Sequence, residues 1–124
     1  MTTPVFVDFE DENGIMHTKE DQEAAYEAEL QRQRNIAAKN SIVREMDKRL
    51  NAFAKAKGWN TIESLAIRAG YPGPYNEIGI YAATLMDNSL FMIDTIFEDV
   101  KMGKRSHPNS FAEIEAELPV LKWE

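Results

Sequence analysis

The chain has 124 residues, the size of one ordinary domain, and at that length roughly two-thirds of the unfolded surface can be buried, enough for one modest core. Its 21 acidic residues outweigh 14 basic ones for a formal charge of -7, which repels a phosphate backbone unless the basic side chains gather on one face. With no cysteine, a disulfide framework and a thiolate nucleophile are both excluded, which suits a reducing cytoplasm.

The first residues, MTTPVFVDFEDENG, lack the basic start and apolar run of a secretory signal. No window approaches the ~20 apolar residues of a membrane span, so a soluble protein without membrane contact is expected. Residues 4 to 18 read as a hairpin: Val5, Val7 and Phe9 alternate with Phe6, Asp8 and Glu10, and Asn13-Gly14 supplies turn residues that tolerate positive φ. A four-residue loop, Asp11 to Gly14, sets Phe9 against Met16 and Val7 against Thr18 on a shared apolar face, whereas a two-residue Asn-Gly loop shifts that register. An isolated hairpin is marginal in water, so this one leans on a helix or a partner.

From Lys19 to about Lys57 there is no proline or glycine, and alanine, glutamate, glutamine, lysine and arginine dominate, which predicts one long helix with a bend at Asn40-Ser41 as the alternative. Ile36, Val43, Met46, Leu50 and Phe53 form a heptad-like stripe in its second half. The first half offers only Ala25, Tyr26, Ala28 and Leu30 to a core, so it reads as a solvated arm or as one reaching a partner chain. Gly58 stops this helix as a C′ residue, and Trp59 sits at the corner, where burial is the expectation rather than stacking on a ligand. Asn60 with Glu63 reads as a capping box for a short helix from about Thr61 to Ala69, closed by Gly70.

The prolines and glycine of YPGPYNE forbid helix and central strand, and a new helix starts at Tyr75 or Asn76. It carries Ile78, Tyr81, Leu85, Ser89, Met92, Ile93, Ile96 and Val100 on one stripe, with Ile80, Met86, Leu90, Phe91 and Phe97 widening it, so it reads as the central core helix, capped by Gly103. Ser110 with Glu113 suggests a second capping box for a last short helix before Pro119. The tail, LPVLKWE, has Leu118, Val120, Leu121 and Trp123 to lay across the core helix. The fold class is therefore mostly α: an N-terminal β-hairpin, one long helix, a short helix, a central core helix and a short C-terminal helix in a small bundle. Residues 1–35 form the hairpin and polar arm, and residues 36–124 the bundle.

No catalytic or metal constellation stands out. His17 and His107 lack a second ligand at helical spacing, so no metal is expected, and the acidic run Asp8, Glu10, Asp11 and Glu12 has its glycine at the wrong offset for a calcium loop. Ser89 and Asp87 have no histidine nearby in sequence, and Ser89 reads as a residue hydrogen-bonded within its helix. Gly70 and Gly73 make no phosphate loop, so no cofactor is expected. Arg32, Arg34, Lys39, Arg44, Lys48, Arg49, Lys55 and Lys57 are interleaved with Glu27, Glu29, Glu45 and Asp47, a mixed solvated face rather than a nucleic-acid surface.

The segment RLNAFAKAKGWNTIESLAIRAG is similar to the pattern LDxFAxxRGYDxIxSAxSYA of small tailed-bacteriophage proteins encoded near tail-fibre genes, and GKRSHPNSFAEIEAELPVLKWE resembles their ending G-x-RPxPxSxxEIxxELPxLxW. MDNSLFMIDTIFEDVKMG resembles a stretch in which an aspartate opens the core helix and a glycine closes it. The resemblance spans about residues 48 to 124; Leu90 stands where the family often has tryptophan, and Leu65 to Ala69 lack its Ser-Tyr pair. It implies a non-enzymatic, tail-associated protein that works by protein–protein contact in the host cytoplasm during assembly. The first expectation is an assembly accessory or chaperone for a phage tail or tail-fibre protein. The alternatives are a structural subunit of the virion tail or baseplate, and an acidic early protein that inhibits a host enzyme or defence complex. The polar arm and the hairpin are expected to reach the client, with the C-terminal bundle as scaffold; Tyr26, Leu30 and Arg34 on the arm are the expected partner-binding residues, with self-association through the long helix as a further route.

Overall fold

A computed structural model describes residues 4 to 123; Met1 to Thr3, which open the segment read for a leader, and Glu124, the end of the tail, lie outside the described residues. The chain is mostly helical with an N-terminal two-stranded hairpin. In order come strand β1 (Phe9–Glu10), strand β2 (Met16–His17), helix α1 (Lys19–Lys55), helix α2 (Ile62–Ala66) continued by a 3-10 turn (Ile67–Gly70), and helix α3 (Asn76–Lys101). Two further 3-10 turns, Phe111–Glu113 and Glu115–Glu117, precede the tail. Contacts divide the chain into two compact units, Met1–Arg34 and Asn35–Glu124.

In the N-terminal unit the hairpin register differs from both sequence readings: Phe9 pairs with His17 and Glu10 with Met16, so the loop is five residues, Asp11 to Ile15. The cause is the Asp11 side chain, whose Oδ1 accepts from the N–H groups of Asn13 (2.9 Å) and Ile15 (3.0 Å). The Asp11 N–H in turn donates to the Ile15 carbonyl at 2.9 Å, so Ile15 closes the loop instead of opening the return strand. Gly14 takes the left-handed φ of +77 that the turn requires. The expected shared face of Val5, Val7 and Phe9 also turns the other way. Phe6 packs on Tyr26, ring centroids 5.6 Å apart, while Val5 and Val7 are exposed.

Helix α1 begins on a cap the sequence reading passed over: Thr18 Oγ1 accepts from the Asp21 N–H at 3.1 Å, and the Asp8 carboxylate accepts from Lys19 N–H. Gln22 Nε2 donates to the Val7 carbonyl (2.6 Å) and the His17 carbonyl (3.2 Å), tying both arms of the hairpin to the first turns of α1.

In the C-terminal unit, α1 contributes Ile42, Met46, Leu50 and Ala54, a stripe of four-residue steps rather than the heptad read from sequence. Ile36 is 45% exposed, and Val43 and Phe53 flank the core. Helix α1 runs through Asn40 and Ser41 uninterrupted and ends in a Schellman motif. There the Trp59 N–H reaches the Ala54 carbonyl (3.1 Å) and the Gly58 N–H that of Lys55 (2.9 Å), with Gly58 at φ +86. The same motif at Gly103 closes α3.

The short helix starts one residue later than the sequence suggested. Thr61, extended at φ -138, is the N-cap, and its Oγ1 accepts from the Ser64 N–H (3.0 Å) while Ser64 Oγ accepts from the Thr61 N–H. Thr61 and Ser64 thus fill the roles expected of Asn60 and Glu63. Ile62 and Leu65 are thereby turned into the core.

Helices α1 and α3 are antiparallel: Lys39 Nζ, midway along α1, meets Asp94 Oδ1 in the last third of α3 at 2.7 Å, while Phe53 at the end of α1 and Tyr81 in the first turns of α3 share Trp123. Between them lie Ala82, Leu85, Ile93, Ile96, Phe97 and Val100 of α3. The Ser110–Glu113 box does not form, and two 3-10 turns replace the last short helix. Ser110 makes no side-chain cap: the Glu113 N–H donates to the Ser110 carbonyl (3.3 Å) rather than to its hydroxyl, and Glu113 Oε2 accepts from the Asn109 N–H (2.8 Å) rather than from that of Ser110. The turns still bury Phe111, Ile114 and Leu118. In the tail, Leu121 and Trp123 pack on the core but Val120 is 79% exposed.

Ser89 sits fully buried among these side chains, and its Oγ has no hydrogen-bond partner among the described residues, unlike the internal bond expected of it. An unsatisfied buried hydroxyl costs about 1–3 kcal/mol. Ser89→Ala should therefore raise stability by about 1 kcal/mol in denaturant unfolding. A loss of stability would mean the hydroxyl is satisfied.

Candidate interaction surfaces

The chemistry-bearing residues are dispersed. Ser89 is enclosed in the core while Asp87 is exposed, so the structure does not bring them together as an accessible pair. His17 Nε2 lies 2.8 Å from Asp11 Oδ2 in the hairpin, and His107 Nδ1 lies 3.3 Å from the Pro108 carbonyl oxygen. Among the described residues no three His, Cys, Asp or Glu side chains are placed to hold a metal ion. No helix among them is long and apolar enough to cross a membrane.

The basic side chains of α1 are engaged piecemeal. Arg32 forms a two-pronged pair with Glu29 at 2.8 and 2.7 Å, and its guanidinium, with Gln33, pulls the Glu29 carboxyl down to about 2. Arg49 bridges Glu45 (3.2 Å) and Glu115 (2.9 Å) while lying 4.3 Å from the Phe111 ring centroid. A groove of about 410 Å³ beside it is lined by Met46, Phe111, Leu118 and Leu121, so its floor is core and its one arginine is already paired. At the helix corner, Trp59 meets Tyr75 edge-on at 5.4 Å and Arg68 lies 5.3 Å from its ring centroid, which makes the corner a packed joint. Tyr71, Tyr75 and Ile67 remain exposed around it, and Ile80 and Phe91 are exposed on α3.

Of the residues expected to bind a partner, Tyr26 is half-buried under Phe6, Leu30 is half-buried and Arg34 is exposed. The structure gathers no shared contact among the three. What sequence reasoning did not show is which side chains of the hairpin segment, beside Tyr26, face solvent. Val5 (90% exposed), Val7 (66%), Phe9, Ile15 and Met16 present apolar side chains to solvent on the hairpin. The signal was in the alternation, since Phe6 and Val7 are equally apolar and only the helix decides which faces inward. The surface is acidic as well: residues 1–34 carry nine acidic side chains against Lys19, Arg32 and Arg34, a net -6 of the whole chain's -7.

The hairpin loop is held by charge. Hydrogen bonds from His17 first, then from the Ile15 and Asn13 amides, keep the Asp11 carboxyl below its ordinary value of 3.8. A depressed carboxylate pKa favours the folded loop above the ordinary value, and that contribution disappears as pH falls through the folded one. The Asn13 and Ile15 amide resonances should accordingly titrate with a midpoint below 3.8. Titration of those amides at or above the ordinary carboxylate value would contradict this geometry.

These features define a mostly helical protein with a small hairpin unit whose apolar side chains are exposed on an acidic surface. Comparison with protein-family models, curated proteins and solved structures finds no match.

Proposed function

We propose that the protein acts without catalysis, by protein–protein contact, as an assembly accessory or chaperone for a tail or tail-fibre protein of a tailed bacteriophage. The unit Met1–Arg34 meets the client. The observation that carries the contact reading is the exposure of Val5, Val7, Phe9, Ile15 and Met16 within residues 4–18, since apolar side chains concentrated in solvent on so short a segment mark interaction surfaces. The phage setting rests on the resemblance of residues 48 to 124. Action in the host cytoplasm during assembly follows from it.

Co-expression with the tail-fibre protein of the same phage, combined with mass spectrometry of purified virions, tests the reading. The expected result is a higher soluble yield of the fibre protein, a complex that co-purifies, and no retention in virions. Abundant protein in virions supports the structural-subunit alternative. No effect on yield and no complex would contradict a client role.

A further inference from the structure

We propose that the segment Val5 to Phe9 is an acceptor edge for an extended segment of another protein that alternates apolar with basic residues. This rests on the contact reading above and adds the chemistry of the partner. Strand pairing in the hairpin begins only at Phe9, opposite His17, so among the described residues the chain from Pro4 to Asp8 runs ahead of the ladder with no strand paired to it.

That stretch is nonetheless anchored at successive residues. Phe6 rests on Tyr26 at 5.6 Å between centroids, the Val7 carbonyl accepts from Gln22 at 2.6 Å, and Asp8 caps Lys19. One side is thus fixed to α1 while Val5, Val7 and Phe9 turn outward at every second position. In an extended chain the N–H and C=O of one residue share an edge, so the Val7 carbonyl bound by Gln22 turns the Val5 and Val7 amides toward α1; the outer edge is that of Phe6 and Asp8, whose N–H groups make no hydrogen bond among the described residues. A segment tied down at successive residues, with Val5 and Val7 left in solvent, offers what strand addition uses: main-chain bonds supply affinity and the outward side chains supply selectivity. Pro4, without an N–H, limits the edge at its start.

Charge selects the occupant. Glu10 and Glu12 are exposed on the same hairpin, and the unit's net -6 attracts lysine and arginine. The same charge opposes a second copy of this unit and any nucleic acid.

The test uses the full-length, isotope-labelled protein and a short synthetic peptide of alternating valine and lysine, with a valine–glutamate peptide as its counterpart. The lysine peptide should shift the amides of Val5 to Phe9, and its affinity should fall at least about tenfold in Val5→Asp/Val7→Asp and steeply with added salt. Because both valines are exposed, the variant should keep its fold; Phe91→Asp, at another exposed apolar position, should bind as the unaltered protein does. Equal binding of the glutamate peptide, binding indifferent to the variant, shifts confined to residues 35–123, or no binding would overturn the proposal. Concentration-dependent protection of Val5 to Phe9 without any peptide would overturn it in favour of self-pairing. If the peptide fails but Val5→Asp/Val7→Asp abolishes the gain in soluble fibre protein, only this inference falls. If the variant keeps that gain in full, the contact reading falls with it.

Discussion

Gly79→Ala should destabilise the protein by about 2 kcal/mol, although alanine is normally the better helix former by about 1 kcal/mol. Gly79 lies in the first turn of α3, where a Cβ would stand 2.6 Å from the Ala69 backbone nitrogen and 2.8 Å from the Arg68 carbonyl carbon. Those atoms belong to the 3-10 turn, and the turn cannot easily retreat. Asn76 Nδ2 ties it to the start of α3 by donating to the carbonyls of Arg68 (3.2 Å), Ala69 (3.2 Å) and Tyr71 (2.8 Å). Adding one methyl group therefore either parts α3 from the turn or strips the Asn76 bonds, and overpacking against well-ordered surroundings costs about 1–3 kcal/mol. The loss corresponds to roughly 10 °C in the thermal midpoint. Gly70→Ala is the control, because its Cβ would meet nothing within 4 Å and φ there is not in the left-handed region. It should leave stability unchanged or slightly improved. A Gly79→Ala protein as stable as the parent would contradict the close approach of these two elements.

Trp123→Ala should cost about 3 kcal/mol, the range for truncating a packed aromatic side chain. The indole stacks on Phe53 at 4.0 Å between centroids with the rings 3° from parallel, and lies 5.5 Å from the Tyr81 ring. Its Nε1–H donates at 2.9 Å to the Phe53 carbonyl. That carbonyl is one of those left over at the end of α1, because the Lys57 N–H turns to Ala54 instead. Tyr81 adds its hydroxyl to the Lys122 carbonyl. The tail thus caps the end of α1 as well as lying on α3. Trp123→Phe keeps the stacking and loses the hydrogen bond, so about 1 kcal/mol should separate it from the parent. Removing residues 118 to 124 should lower the midpoint further, since it also uncovers the surface under Leu118 and Leu121. An unchanged midpoint after that deletion would make the tail a free peptide.

What could be read from sequence was local. Gly58 and Gly103 end helices because each needs a left-handed φ that its neighbours adopt poorly, and the proline-rich break before Asn76 follows from missing N–H groups and fixed φ. What could not be read depended on choices among chemically equivalent neighbours or on distant partners. Asn60 and Thr61 can both cap a helix, and only the burial of Ile62 and Leu65 decides for Thr61. The hairpin register turned on which N–H groups Asp11 would collect, and the facing of the strand on whether Phe6 or Val7 found Tyr26. Gly79 gave no turn signal, since what it provides is room for the Arg68 and Ala69 backbone. Likewise the apolar edge at Val5 and Val7 emerged only once the helix had claimed Phe6.

Hydrogen exchange on the protein, free and after co-expression with the tail-fibre protein proposed as its client, tests the central claim most directly. In the free, dilute protein, exchange should be fast from about Lys19 to Asn35 and slow from Val43 onward, because the first half of α1 buries little apolar surface. Complex formation should slow exchange from Val5 to about Leu30 and leave the buried stretch from Ile42 to Leu50 and α3 unchanged. Protection gained only within residues 35–123, or uniformly slow exchange along the whole of α1 in the free protein, would contradict the assignment of partner contact to the N-terminal unit.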